Sequence, residues 1–433
     1  MVTLAEHVVS LRGKVFELVN GDNAITFPNE RFGPERFREI YSHPAARGRS
    51  EGAGLSDLFW YWLSPGPEVH QEHLEDGPRY DEVARTTLRI LSGPSDRITE
   101  AVTRCTAAVL DGFPGGLVRL RDLMMPVWAE FCYELVFGEP CPREARELIV
   151  GHANDVVTAL KCTGLRHMKR RERLTRYLAR RLGDVPHELP ASLSPREQVH
   201  YLQGTFFNTA VVQLSEGMAH VLLALAQHRE IQERASTADD RYLGHVLDET
   251  MRLYPLFGIA HRITKDEITL DEDTTLPAGS VLCFSYPAYH ATGYEDPGRF
   301  DPDRWEALSA KEAHHIPYGI AANRPCPAWR LAPLAMRAAV REVLRRFTLD
   351  STVTHTRSLP SRGPCLLVPR GESVSPARLR AIRTFLRVRD RWEDVGRSFL
   401  QLGLGTFMVL DARHRRLAGR YFADPAPSRC PVH

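Results

Sequence analysis

The 433-residue chain lacks closely spaced cysteines. Its eight lie at 105, 132, 141, 162, 283, 326, 365 and 430, too irregularly for a zinc site or a small disulfide framework, which leads us to expect a reduced, cytoplasmic protein. Net charge is nearly absent too: 56 Lys and Arg against 54 Asp and Glu leave +2, so bulk attraction to nucleic acid is not expected. Glu6, Arg12 and Lys14 interrupt the N-terminal apolar residues, which argues against a signal peptide or membrane anchor. What is present is a 43% hydrophobic composition, enough for a sizeable core. The length allows several average domains or one large helical domain with a small sheet subdomain.

Two stretches carry chemistry. In His315-Ile-Pro-Tyr-Gly-Ile-Ala-Ala-Asn-Arg-Pro-Cys326-Pro-Ala-Trp-Arg-Leu-Ala332, a cysteine ends a small-residue loop before a helix carrying Leu331, Leu334, Ala338, Val340 and Val343. Pro327 suits a first helical position, and the unpaired N–H groups of a helix start would lower the thiol pKa. An ordinary buried cysteine is the competing reading. Upstream, Glu249-x-x-Arg252 shares one helix face and stops at Pro255, and the Arg299-Phe-Asp-Pro-Asp-Arg304-Trp305 loop offers a second guanidinium. One carboxylate bridging two arginines makes a rigid lock, although Glu-x-x-Arg alone is common on solvated helices.

In their order, Glu249-x-x-Arg252, Arg262, Leu276-Pro-Ala-Gly-Ser280, Phe300-Asp-Pro-Asp-Arg304 and Arg324-x-Cys326 with Leu331-Ala332 resemble the cytochrome P450s, the haem-thiolate oxygenases. The resemblance covers roughly residues 1–370. It implies a mainly α fold with a small β-rich subdomain and a haem b buried between two long helices. Cys326 would be the iron ligand, and Glu249, Arg252 and Arg304 the structural triad. Arg262 and Arg324 would hold propionates, as would His261, Tyr80 and Arg85, the last two standing where family members carry a histidine and an arginine. A small-molecule substrate is implied, with ferredoxin and ferredoxin reductase where electrons are needed.

Along the chain, Val15 to Phe27 reads as two strands about an Asn20-Gly21 turn, and Pro34–Tyr41 as a short helix. Phe59, Trp60, Tyr61 and Trp62 show no period that would place all four rings in one core. By family position they line substrate, as Phe257 and Ile259 do; a local cluster under a loop is the alternative. Leu117 to Gly183 reads as helical throughout, with a basic face around Lys169–Arg181. Arg357–Pro360 reads as a turn opposite the Phe257 segment.

Ser194-Pro-Arg-Glu197 is a capping-box start for a helix reaching His228, which resembles the family's oxygen-activating helix. Counting back from Ala226–Glu230 puts Val212 and Gln213 where an acid and a threonine are usual, and counting forward gives Val211 and Val212. Asn208-Thr209 and Ser215-Glu216 lie about a turn to either side and could substitute if the helix bulges. The cysteine loop departs as well. Gly319, Ala322 and Ala328 occupy places where the family has an aromatic residue and two glycines, with Tyr318 one residue further out.

Beyond Arg370 the resemblance ends. Residues 371–433 read as a helical extension with an apolar stripe through Leu379, Ile382, Leu386, Trp392, Val395 and Phe399 among arginines. It is too short for a fused reductase and is expected to pack on the main domain of a monomer, a partner or dimer contact being the alternative. The function expected is oxidative tailoring of a small apolar metabolite in a biosynthetic pathway, by hydroxylation, epoxidation or oxidative cyclisation. Haem-catalysed group transfer or rearrangement, peroxide-driven or independent of dioxygen, is the alternative that Val212 and Gln213 motivate. A non-enzymatic haem or ligand binder is the third.

Overall fold

The computed structural model describes residues 24–309, 313–353, 355 and 364–423. Most of the hairpin expected over 15–27 and the turn expected at Arg357–Pro360 lie outside them. Strand β1 (Ala24–Phe27) is followed by helices α1 (Pro34–Ser42), α2 (Gly54–Leu63), α3 (Pro78–Leu91) and α4 (Ser95–Leu110). After strand β2 (Gly116–Arg119) come α5 (Leu120–Phe137), α6 (Arg143–Leu160) and α7 (Met168–Arg181). Next are α8 (Pro195–Gln227), α9 (Arg229–Thr237) and α10 (Asp240–Leu253). Strands β3 (Ile259–Ile263), β4 (Ile268–Asp271), β5 (Thr274–Leu276) and β6 (Val281–Ser285) lead to α11 (Tyr286–His290) and α12 (Leu331–Arg346). The chain then adds β7 (Phe347–Asp350), β8 (Pro364–Pro369), α13 (Pro376–Arg415) and α14 (Leu417–Ala423).

Helices α4, α5, α8 and α12 pack around one core that includes Trp128, Phe206, Leu222 and Val343. Helix α8 starts at the Ser194/Glu197 capping box. It is long and apolar enough to cross a membrane, but most of that apolar length is buried, because α8 is apolar on nearly every side and neighbours cover it all round. A second core joins α1 to the sheet β1-β6-β3, in which β1 runs parallel to β6 and β3 antiparallel. Phe37 stacks on Tyr289 at 4.1 Å and meets Phe284 edge-on at 5.1 Å. The remaining sheets are β2-β8-β7 and β4-β5.

Residues 116–119 are a strand, correcting the expectation of helix from Leu117 onward: β2 alternates in burial and pairs antiparallel with β8. The basic face on α7 is not all solvated. Arg171 is wholly buried, pairs with Asp155 at 2.5 Å and donates to the carbonyls of Trp62 and Ser64 at 2.5 and 2.6 Å. Helix α13 lies against α2, with Met408, Val409 and Ala412 packed on Leu58, Tyr61 and Trp62.

Candidate active site

Cys326 stands in the loop before α12, and its amide donates to the Tyr318 carbonyl at 2.8 Å. The turn just before it is closed by Asn323, whose amide N–H reaches the Ile320 carbonyl at 3.0 Å while Nδ2 donates to the carbonyls of Tyr41 and Ala46 at 2.7 and 2.8 Å. With alanine at 322 and 328, the left-handed backbone falls on Gly319 (φ 75°) and on Arg324 (φ 54°). A non-glycine residue there stores strain on the order of 1–3 kcal/mol, held by the contacts of the Arg324 side chain. Helix α12 begins at Leu331, so Pro327 is not its first residue. Burial pushes the Cys326 thiol up to about 11, outweighing a hydrogen bond from the Ala328 amide that favours the thiolate. The expected lowering by the helix dipole is outweighed.

Glu249 is fully buried behind this loop. It accepts from Arg252 at 2.8 and 2.9 Å, from Arg304 Nε at 3.0 Å, from Trp305 Nε1 at 3.0 Å and from the Asp301 amide at 2.9 Å. Arg252 also caps the carbonyls of Pro297 and Arg299. Helix α10 and the Arg299–Trp305 loop are thus one unit.

A cavity with about 1340 Å³ of non-atom space, part of it open to solvent, has Cys326 in its wall. Leu91, Phe131, Leu135, Phe206, Leu214 and Phe257 make it largely apolar. Helix α8 enters as a π-turn over Thr205–Ala210, so counting along a regular helix misplaces the wall: Thr209 and Gln213 line the cavity, whereas Val212 packs into the core beside it. The residue before Thr209 is Asn208, buried at 3% exposure. Glu216 is buried away from the cavity and ion-pairs with Arg121 at 3.4 Å.

Thr209 has a partner that no motif announced. Its hydroxyl lies 2.7 Å from His70 Nε2, and His70 Nδ1 accepts the Glu72 amide at 3.2 Å. Burial holds the imidazole down to about 4, so the ring is neutral, and the network places its hydrogen on Nε2, donated to Thr209. The threonine's own hydrogen is then left to donate elsewhere. Sequence reasoning missed His70, Gln71 and Glu72 because they sit in a turn-rich segment without periodicity.

Three guanidiniums gather at one edge. Arg262 donates to Tyr41 Oη at 2.6 Å and to the His261 carbonyl at 2.8 Å. Arg324 pairs with Asp76 at 2.7 Å, donates to the Leu74 carbonyl at 2.6 Å and stacks 3.9 Å over Tyr80. Arg49, which the sequence did not single out, pairs with Glu72 and donates to the His261 carbonyl at 2.8 Å. Burial and then the Arg262 charge pull Arg49 down to about 10.

Of the other expected positions, all but Phe257 fall outside the cavity lining. Tyr80 supports Arg324 from below its guanidinium. Arg85 is exposed beside Glu82 and Arg89. His261 is buried, donating from Nε2 to the Arg49 carbonyl at 3.0 Å and stacking 4.9 Å from Phe59. Phe59, Trp60 and Trp62 share helix α2. There Trp62 belongs to the satellite core and Trp60 donates to Ser50 Oγ at 3.1 Å, which makes the local-cluster alternative the one that describes them. Ile259 borders a separate surface hollow with Phe59, while Phe257 lines the cavity with 42% exposure and so stands at its rim.

The sequence profile of the cytochrome P450 family matches residues 143–373, more than half of the chain. The chain belongs to the cytochrome P450 family. It is 34% identical over 166 residues to cytochrome P450 135B1 of Mycobacterium tuberculosis, covering 36% of this chain and 35% of that one. It is 34% identical over 119 residues to cyclooctat-9-en-7-ol 5-monooxygenase of Streptomyces melanosporofaciens, covering 24% and 26%. These matches span about a third or less of the curated relatives' length. A cyanobacterial P450 with retinoic acid bound superposes with a TM-score of 0.65 over 81% of this chain and 90% of the other at 17% identity, which shows the mainly α fold with its small sheets.

P450s are oxidative enzymes whose cofactor is haem b, its iron held by a cysteine thiolate. The residues here fit that group. Cys326 faces the cavity, whereas Cys132, which also borders it, is 1% exposed within the α5 core. Arg262 and Arg324 both line the cavity, and each keeps a buried Nε without an acceptor among the described residues. Two carboxylate-bearing arms would supply what these donors lack.

Proposed function

We propose that this P450 oxidises a small to medium, largely apolar metabolite by hydroxylation, epoxidation or oxidative ring closure; Cys326 would hold the haem iron, and Arg262 and Arg324 would hold its propionates. Bound haem supplies the oxidising power through an iron whose electron density the thiolate raises. The chain's own residues supply the apolar walls, the exclusion of water and one proton-handling pair. The observation that carries the reading is the Thr209–His70 hydrogen bond at the π-turn of α8. It sets a hydroxyl with a hydrogen to give in the cavity wall, in the helix where this family activates oxygen.

Polar anchoring of the substrate falls to Gln213 and to Thr205, whose buried Oγ1 has no partner among the described residues. A metabolite with one or two oxygen functions on a hydrocarbon frame matches that wall. The Streptomyces relative, named for oxidising an alcohol of that description, supports the class. The alternative, group transfer or rearrangement driven by peroxide or independent of dioxygen, drew its motive from Val212 and Gln213; the Thr209 hydroxyl in the cavity wall supports the dioxygen-dependent reading over it. Electrons would come from a ferredoxin and its reductase.

The test starts with the reduced, carbon monoxide-treated spectrum of the wild type beside Cys326→Ser. Turnover of a panel of cyclic terpene alcohols and medium-chain lipids is then followed with ferredoxin, its reductase and NADPH, under oxygen and under argon. The reading requires the thiolate band to vanish in the variant and product to need oxygen. Product formed equally under argon would overturn it.

A further inference from the structure

Among the described residues, helix α13 buries one face against its own domain and leaves another bare. Leu386, Gln401, Met408, Val409 and Ala412 are each at most 3% exposed, while Phe385, Val388, Trp392, Phe399, Phe407 and Leu410 are 55, 56, 71, 52, 52 and 56% exposed. At about 100° per residue the bare set falls within an arc of about 100°, on the side away from the buried set. With Leu400 beside it (45% exposed), the stripe offers on the order of 700 Å² of apolar surface. That exceeds the roughly 300–600 Å² of the largest patch on an ordinary monomer and approaches the ~800 Å² each partner contributes to a stable interface.

The stripe is also complementary to itself. Gly396 and Gly403 lie on the same face, and a side chain built at either would meet nothing within 4 Å. About the midpoint between Arg397 and Ser398, Phe385 is as far on one side as Leu410 on the other. The same holds for Val388 and Phe407, for Trp392 and Gly403, and for Gly396 and Phe399. Each of the two central glycines is thereby matched to a large aromatic ring.

We propose that α13 packs antiparallel against α13 of a second copy of this chain, about a two-fold axis passing between Arg397 and Ser398. The axis brings the two residues of each pair to the same level along the helices, as an isologous interface requires. Trp392 fills the space over Gly403 of the second copy, and Phe399 the space over Gly396 of the second copy. Glycine at those points lets the helices approach at the short end of the ~8–10 Å range. The two domains lie outermost, because the buried faces of α13 point away from the axis. A lipid surface would also take an apolar stripe flanked by arginines, but it has no use for large and small residues matched about a midpoint. The proposed dimer takes up the partner contact that the sequence left as the alternative to a monomer.

The test is sedimentation of the haem-loaded full chain across micromolar concentrations, with circular dichroism and the haem spectrum as controls on folding. The wild type should be a dimer and Trp392→Glu a monomer with an unchanged spectrum. Gly403→Trp, which sets ring against ring, should weaken association roughly 100-fold. The exchange Trp392→Gly with Gly403→Trp should restore it to within about tenfold, which only antiparallel pairing in this register achieves. A wild type that stays monomeric overturns the proposal, as does a dimer indifferent to these variants. A monomer that instead floats with phosphatidylglycerol vesicles assigns the stripe to membrane.

Discussion

His70 Nε2 and Thr209 Oγ1, 2.7 Å apart, tie the loop before α3 to the π-turn of α8. The bond orients the threonine so that its hydrogen is available, which is the condition for handing protons on in a largely apolar cavity. Thr209→Val should lower product formed per reductant consumed by one to two orders of magnitude, a proton-transfer group contributing ~10²–10⁴-fold. Thr209→Ser should keep most of it. His70→Phe should give a smaller loss with a raised solvent isotope effect. Equal coupling in Thr209→Val and wild type would remove the hydroxyl from the reaction.

The same histidine bears on pH. Burial first, then nearby arginine charge, holds His70 at about 4 in the folded protein, below an unfolded value of ~6.5. The imidazole should therefore stay neutral across the working range, and coupling should show no inflection between pH 5.5 and 8. An inflection near 6.5 that disappears in His70→Phe would contradict this account.

Stability should respond to acid through the buried histidines together. His152, His261, His290 and His355 are each pulled down to about 3, in every case chiefly by burial. For a group depressed on folding, the unfolded chain binds more protons between the two values, so stability is complete above ~6.5 and is lost as pH falls toward the folded value. Tm should be level above pH 7 and decline steadily between 6.5 and 4.5, before the carboxylates titrate. A level Tm down to pH 5 would show that these side chains take up protons without cost.

The Glu249 lock was legible from residue spacing, because a Glu-x-x-Arg pair and a later arginine are sequence features, as was the cysteine loop by its small residues and position. The α8 wall was legible in part: Gln213, and Thr209 as the substitute should the helix bulge, both line the cavity, whereas Val212 packs into the core beside it because the π-turn breaks the constant turn that helical counting assumes. Aromatic content also misled at Phe59–Trp62, since rings bury as readily against another helix as against a ligand, and their partners on α13 lie hundreds of residues away. Arg49 and His70 gave no local signal because long-range contacts alone bring them to the site.

Breaking the lock should be costly. Glu249→Ala leaves Arg252 and Arg304 buried without their shared carboxylate (side chains 1 and 10% exposed). Removing one partner of a buried ion pair costs about 3–5 kcal/mol, and several hydrogen bonds go with it. We expect poorly folded, haem-poor protein, with Glu249→Gln intermediate because the amide oxygen still accepts from one guanidinium. Wild-type urea midpoints for Glu249→Ala would refute the lock.

Arg262 and Arg324 should act on haem affinity and leave ligation alone. Arg262→Leu removes one of the two cavity donors with an unpaired Nε and should raise the haem dissociation constant about tenfold or more, a charged hydrogen bond being worth ~1.5–3 kcal/mol. The carbon monoxide band of the remaining holoprotein should keep its thiolate position. Loss of that band at full haem content would mean that Arg262 positions the cysteine loop through Asn323, whose carbonyl it reaches at 3.4 Å.

Residues 371–433, which we propose to be an extension packed on a domain spanning 1–370, should be needed for the fold beneath them. Asp57 accepts from the amides of Ala418 and Gly419 at 2.8 and 3.1 Å, Gln401 donates to the Lys161 carbonyl at 2.9 Å, and Arg383 pairs with Asp350 beside β7. Deleting 372–433 would uncover Leu58, Tyr61 and Trp62, which are 8% exposed or less in the full chain, and exposing several large apolar side chains costs ~1.5–3 kcal/mol apiece. The loss should reach the haem edge, because α2 also carries Phe59, stacked on His261, and Trp60, bonded to Ser50 beside Arg49. Truncated protein is thus expected to aggregate or to bind haem weakly. A soluble truncated chain that loads haem like the full one would show the extension to be dispensable for the fold and leave association as its role.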